Sequence, residues 1–416
     1  MGSRERFRFS ESGATFWVFA QSRRLGFTPE RIRLDATHGP IGEGPADATI
    51  EVIDALDKSS YFSDASGKLR RRPRPPYPTD GPRSSRPAAP RDGNFTHLAP
   101  GQRAFSAAMA YAVVRTTLAV WQHFLQLDRP FAWHFTDKVG PVLQVHPRVL
   151  SNNAWSGEGF LEFGFPNWDE DTRDPFSENF EVISHETGHL ILKAVIGTMP
   201  DDEKSLQHRA HEEGGADLIA LITNLHLESV IDQVLAQTGG FLYSENLLSR
   251  IGEWGRGEDD VARTAFNEAT MASVRSLASF NKHQLSAPFT GAVFDIFVRC
   301  FVRHLRAHDA IDSTLAERCR HTPGRPLENL GAGFASALAR HHEAFRESLG
   351  LARDDMGWLL AGAWRRTSLD GVTYGKVLTH LLEADTELGT DLGETIRETF
   401  HARGITPDGG HRPRLG

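Results

Sequence analysis

With 416 residues, a formal net charge of −8 and ordinary apolar and charged fractions, the chain can bury a sizeable core and carries no electrostatic footprint for a polyanion, so nucleic acid is not an expected partner. Its two cysteines, Cys300 and Cys319, are too few for a disulfide framework, lack metal-ligand spacing and read as reduced thiols. At about 150 residues per domain the length suggests two or three units, with one compact unit plus attachments equally allowed.

The first ten residues are polar, with Arg4, Glu5, Arg6 and Arg8, and hold no apolar stretch of the kind a secretory signal needs. Residues 1–66 contain two weakly to clearly alternating runs, 15–20 and 48–53, which predict strands but suggest no role for this segment. Prolines and arginines then dominate, and residues 67–100 are expected to be a linker or strap, with Arg70-Arg71-Arg72 as a solvated basic run. Apolar residues at helical spacing over 105–127 predict a core helix that ends before Pro130. Strand-like pieces follow at 132–135, 142–149 and 159–165.

After the acidic loop 168–174 almost everything reads as helical, with breaks expected at 239–240, 255–257, 323–326 and Gly350. That loop, with Asp169-Glu170-Asp171, lacks the regular oxygen-ligand spacing of a calcium site, and calcium is not expected. Even the apolar region 183–196 is interrupted by His185, Glu186, His189 and Lys193, so the sequence predicts no membrane span and a cytoplasmic protein. The expected architecture is α+β, a small β-containing N-terminal lobe and a large mostly helical lobe. Residues 101–300 are the expected catalytic domain and 301–416 a C-terminal helical region, whose amphipathic stretches 351–364 and 377–382 suit core packing or the docking of a protein partner.

Chemistry enters at Ser184-His185-Glu186-Thr187-Gly188-His189. Residues four apart on a helix share one face, so the imidazoles of His185 and His189 can reach one ion, and Glu186 can take a proton from water beside it. A catalytic zinc needs a third protein ligand and leaves a position for water. Downstream, Glu213 and Asp217 are also four apart, so Glu213 can ligate while Asp217 accepts the spare N–H of a ligating histidine. Gly214 and Gly215 cost a helix about 1 kcal/mol each relative to alanine, tolerable if they allow close approach to the first metal helix. His208, His211 and Glu212 compete for the third position, whereas a third histidine six residues after the second is absent, since Val195 stands there. The expectation is one Zn2+ per chain on His185, His189 and Glu213.

These residues resemble the gluzincin metallopeptidases, and within them the thermolysin-like family. Four segments match in order: Asn153-Ala154-Trp155 with Phe163-Gly164, then 185–189, then 213–217, then His283 with Ser286. Together they span about residues 105 to 297. The resemblance implies a thermolysin-like catalytic core and peptide or protein substrates. It also implies that Asn153 and Ala154 pair with the substrate backbone from an edge strand, that His283 stabilises the oxyanion, and that Arg275 grips the substrate carbonyl, although Arg275 lies nearer His283 than the family spacing.

One departure stands out. No tyrosine lies between His189 and Glu213, where the family places a second oxyanion donor, and loss of one such donor typically costs about 3 kcal/mol. Another group can substitute, Tyr243 being one conceivable donor, or the chain is a weak or inactive metallopeptidase-like scaffold. Hydrolysis of a non-peptide amide at the same zinc also stays open.

Overall fold

The computed structural model describes residues 4–21, 23, 26–56, 58, 60, 87–165, 175–244, 246–251, 263–277 and 281–408. The strap at 67–86 with its arginine run, the acidic loop at 168–174 and the break at 255–257 lie outside the described residues. The chain is mixed α and β, with its sheets concentrated in the N-terminal part and a large helical part after them. It divides into two compact units, one within Met1–Ala194 and the other within Val195–Ile251 and Ala262–Gly416.

In the first unit, β1 (Ala14–Val18) and β2 (Glu30–Leu34) form an antiparallel pair whose alternate residues, Phe16, Val18, Ile32 and Leu34, turn into the core. Phe95, within the segment expected to be a strap, stacks on Phe16 at 4.7 Å and ties residues 87–100 to this ribbon. The main sheet is built from β3 (Ile50–Val52), β4 (Leu143–Val149), β5 (Ala154–Gly157) and β6 (Phe160–Gly164), ordered β3-β4-β6-β5. β4 runs parallel to both β3 and β6, and β5 turns back antiparallel to β6. Every residue of β4 is buried, Pro147 included; its missing N–H falls where the register against β6 shifts between His146 and Val149. The expected strand at 132–135 is instead a turn leading into the short α2 (Thr136–Val139).

The long helix α1 (Arg103–Phe124) covers the sheet, its Tyr111, Leu118 and Trp121 all buried. α3 (Phe180–Ile196) completes this unit up to Ala194.

Within the second unit run α4 (Leu206–Asn224), α5 (Glu228–Thr238), the two-residue strands β7 (Arg250–Ile251) and β8 (Arg263–Thr264), α6 (Met271–Arg275), α7 (Lys282–Ala307), α8 (Ser313–Arg318), α9 (Gly331–Arg340), α10 (His342–Arg366), α11 (Tyr374–Leu388) and α12 (Gly393–Ala402). α7 is the hub, packed against α4, α10 and α12. α5 ends at Gly239 in the left-handed conformation, as its sequence predicts, whereas α10 passes straight through Gly350. Burial of Leu349, Ala352, Met356 and Leu359 outweighs the roughly 1 kcal/mol that a mid-helix glycine costs. The stretches at 351–364 and 377–382 fall in α10 and α11, which pack on each other through buried residues such as Leu360, Trp364, Leu378 and Leu381.

Among the described residues, two helices, α1 and α7, are long and apolar enough to cross a membrane, and α4 with α5 would qualify as a pair bent by 99°. The sequence reading that no such stretch exists is corrected by them. In α1 and α7, 89% of the apolar window is buried inside the protein, so their hydrophobicity is accounted for by core packing on all sides.

Candidate metal centre

α3 begins at Asn179, whose side-chain oxygen accepts from the backbone N–H of Glu181 at 3.0 Å and of Val182 at 3.2 Å. The same side chain donates to Gln21 Oε1 at 3.0 Å, anchoring the helix start to the β1 side of the unit. Phe180, Ile183, Leu190 and Ile191 are fully buried, and the Ser184 hydroxyl meets that of Thr117 on α1 at 2.9 Å, so the rotation of α3 is fixed. On its remaining face His185 and His189 meet edge to face one turn apart, with ring centroids 4.8 Å apart and planes at 87°, both half-buried. Glu186 beside them is buried.

The other half of the expected site lies on α4, whose first turn is capped by Ser205 accepting from His208 N at 3.0 Å. Glu213 is buried, and two side chains from the start of α7 reach it: Lys282 Nζ donates to Oε1 at 2.6 Å, and His283 Nδ1 lies 3.1 Å from Oε2. One turn on, Asp217 accepts a bidentate pair from Arg263, Nε to Oδ2 at 2.7 Å and the terminal nitrogen to Oδ1 at 2.6 Å. The other terminal nitrogen of Arg263 is 3.2 Å from His283 Nδ1, which links the Asp217 and Glu213 clusters. A capping box locks the start of α7: Asn281 accepts from the N–H of His283 and Gln284, and its own N–H donates to Gln284 Oε1 at 3.0 Å.

Gly214, adjacent to Glu213, has its own reason. A Cβ there would stand 2.8 Å from Thr290 Oγ1 and 3.1 Å from Phe289, so glycine lets α4 close on α7. The close approach made at Gly214 is thus to α7.

On α3, His185 and His189 offer two imidazoles one turn apart, and on α4 Glu213 offers a buried carboxylate. Two imidazoles and a carboxylate are the donor set of a catalytic zinc that keeps a position for water, so the residues fit that ion.

The remaining predicted residues are placed as follows. Ala154 opens β5, an outer strand of its sheet, and Asn153 stands exposed just before it. Gly164, closing β6, lets the strands meet there, since a Cβ would fall 2.4 Å from Asn153 O. Arg275 is exposed at the end of α6, and the arginine beside His283 is Arg263. Sequence reading missed Arg263 because it follows a glycine- and charge-rich stretch with no helical or strand period. Lys282 was equally overlooked, although its place next to His283 on a helix start was a usable signal.

The rival ligand His211 is consumed by the core: Trp364 Nε1 donates to its Nε2 at 3.3 Å, Phe289 packs on its ring, and burial, helped by His208, pushes its pKa down to about 3. Tyr243 is buried with its ring against Phe241, Phe266 and His321.

No family model matches this sequence, and no curated protein does. Among solved structures, the chain is similar to the precursor of protealysin, a metalloproteinase from Serratia proteamaculans, at 12% identity and a TM-score of 0.47, covering 86% of this chain and 88% of that one. A likeness at that level is too low to bear on function.

Proposed function

We propose that this protein is a zinc-dependent hydrolase of the metallopeptidase kind, with the ion on His185, His189 and Glu213. The observation that carries the reading is the pair of imidazoles that His185 and His189 present one turn apart on α3, with the buried Glu186 one residue on from the first. When bound there, zinc would acidify its water toward neutrality and polarise a substrate carbonyl. Glu186 accepts the proton of the attacking water and returns it to the leaving nitrogen. Asp217, held by Arg263, supports the ligand shell as the acceptor for a histidine N–H. His283 donates to the oxygen that becomes negative, and the outer strand β5 with Asn153 and Ala154 pairs with the backbone of a peptide substrate.

Metal analysis of the purified chain, followed by a broad peptide-library assay with and without chelator, tests this. Cleavage that chelator abolishes and zinc restores is the expected result. A zinc-loaded chain that cleaves no peptide in the library would overturn the peptidase reading.

A further inference from the structure

From Phe105 to Phe124 every residue of α1 is buried except Ala119, Gln122 and His123, and these three line one cavity of about 350 Å³ within the first unit. Arg115 lines it too, and the spacing of 115, 119, 122 and 123 puts all four on one helix face. The other walls are residues 7–10 ahead of β1, Arg33 and Leu34 of β2, and residues 127–130 beyond α1. Gln122 donates to the Arg129 carbonyl at 3.2 Å, which fixes that last wall. None of His185, Glu186 and His189 takes part.

Charge around the cavity is one-sided: Arg8, Arg33, Arg115 and Arg129 face only Asp35 and Asp128. Three of those arginines are exposed at its rim, whereas Arg115 is 7% exposed. One terminal nitrogen of Arg115 donates to Asp47 and, at 2.8 Å, to Thr49 Oγ1. Asp47 is already taken up by the Tyr111 hydroxyl, the Thr49 hydroxyl and the N–H groups of Thr49 and Ile50. The Nε of Arg115 is buried and meets no acceptor among the described residues. A buried donor of this kind calls for a partner, and an anion in the cavity would supply one.

We propose that this cavity binds a small organic carboxylate, with its oxygens at the Arg115 guanidinium and its hydrocarbon part on the apolar walls. Phe7, Phe9, Leu34 and Leu127 provide such a wall. A second cavity of about 140 Å³ shares His38, Arg115, Gln122 and Pro130 with the first and continues along Phe131 and Trp133, whose rings stack at 5.4 Å. Arg115 therefore stands where both spaces meet, a charged point between two apolar surfaces. Burial, and next the Arg115 charge, push the His38 pKa down, so Asp47 leaves that charge felt on the cavity side. A flat guanidinium matches the two oxygens of a carboxylate. Inorganic phosphate fits less well, because the backbone donors of α1 at Arg115, Ala119 and Gln122 are spent inside the helix and the apolar walls offer it nothing.

Fluorine NMR of para-fluorobenzoate with the full-length protein tests this. The ligand signal should broaden and saturate at one site per chain, para-fluorobenzylamine, with the same ring and the opposite charge, should stay sharp, and phosphate should compete at least about tenfold more weakly than unlabelled benzoate. Ala119→Trp, which fills the cavity, should abolish the broadening with circular dichroism unchanged. Arg115→Lys keeps a cation for Asp47 but loses the planar fork, and should weaken binding about tenfold. Arg129→Glu, at an exposed position that the fold does not depend on, should weaken it about threefold. A wild type that leaves para-fluorobenzoate sharp, an affinity unchanged in Arg129→Glu or in folded Ala119→Trp, or phosphate competing as tightly as benzoate would overturn the proposal.

Discussion

Two buried carboxylates on the helical unit, Asp295 on α7 and Glu213 on α4, are each paired with a basic side chain and a histidine, yet the surroundings give them opposite uses. Asp295 accepts from Arg403 at 2.7 Å and from His321 at 2.9 Å, and both partners are themselves fully buried. Arg403 spends its other donors on Asn267 and on the Ala269 carbonyl, and His321 reaches Glu268 at 2.8 Å. Gly291, one turn before Asp295, clears the space, since a Cβ would stand 2.5 Å from the Arg403 guanidinium. With Arg403 and His321 buried against Asp295, that cluster staples the end of α12 to α7. Around Glu213 the partners are half-exposed, which is what the proposed metal ligand requires. The kinds of residue are the same in both clusters; what differs is the solvent access of the partners.

The sharpest way to break this comparison is to neutralise each acid in chelator-treated protein. Asp295→Ala leaves the Arg403 charge buried and unpaired and should cost about 3–5 kcal/mol in denaturant unfolding. Glu213→Gln strands only half-exposed groups and should cost about 1 kcal/mol or less. Equal losses would show that both clusters are staples.

A change of comparable size, in rate and not in stability, is expected from Glu186→Gln: zinc content unchanged and turnover down at least about 100-fold to 10,000-fold. Full activity in that variant would remove Glu186 from the role of base. Gly214→Ala should destabilise by about 1–3 kcal/mol through the clash with Thr290 and Phe289, less about 1 kcal/mol of gained helix propensity. Combined with Thr290→Ala the losses should be less than additive, and strict additivity would place the clash elsewhere.

The smallest effect is one of pH. Burial works against charge on His321, but its hydrogen bonds and ion pairs to Asp295 and Glu268 outweigh this and raise its pKa above the ordinary value. A raised folded-state pKa gives stability that is complete below about 6.5, the unfolded value, and is lost as pH rises through the folded one. Melting temperature against pH should therefore decline on the alkaline side more steeply in the wild type than in His321→Gln, and parallel curves would argue against a charged His321.

Local periodicity carried much of the architecture. Residues 105–127 announced α1, the alternation at 48–53 and 142–149 announced β3 and β4, and the four-residue spacings placed His185 with His189 and Glu213 with Asp217 on shared helix faces. What escaped depends on contacts distant in sequence. Arg263 reaches Asp217 across 46 residues and Arg403 reaches Asp295 across 108, and neither separation leaves a local pattern. Gly350 misled for a related reason: a helix break is a local preference, and the packing of α10 overrides it. α1 and α7 were not recognised as long enough apolar helices because scattered polar residues such as Arg115 and Asp295 are satisfied internally, by Asp47 and Arg403.

Metal content after exhaustive dialysis, by elemental analysis of the wild-type chain and of Glu213→Ala, tests the centre of the account most directly. The account predicts one zinc per wild-type chain and almost none in Glu213→Ala, with the fold of both intact by circular dichroism. A wild type devoid of zinc, or a Glu213→Ala variant that keeps it, would contradict the ligand set on which the proposed hydrolysis depends.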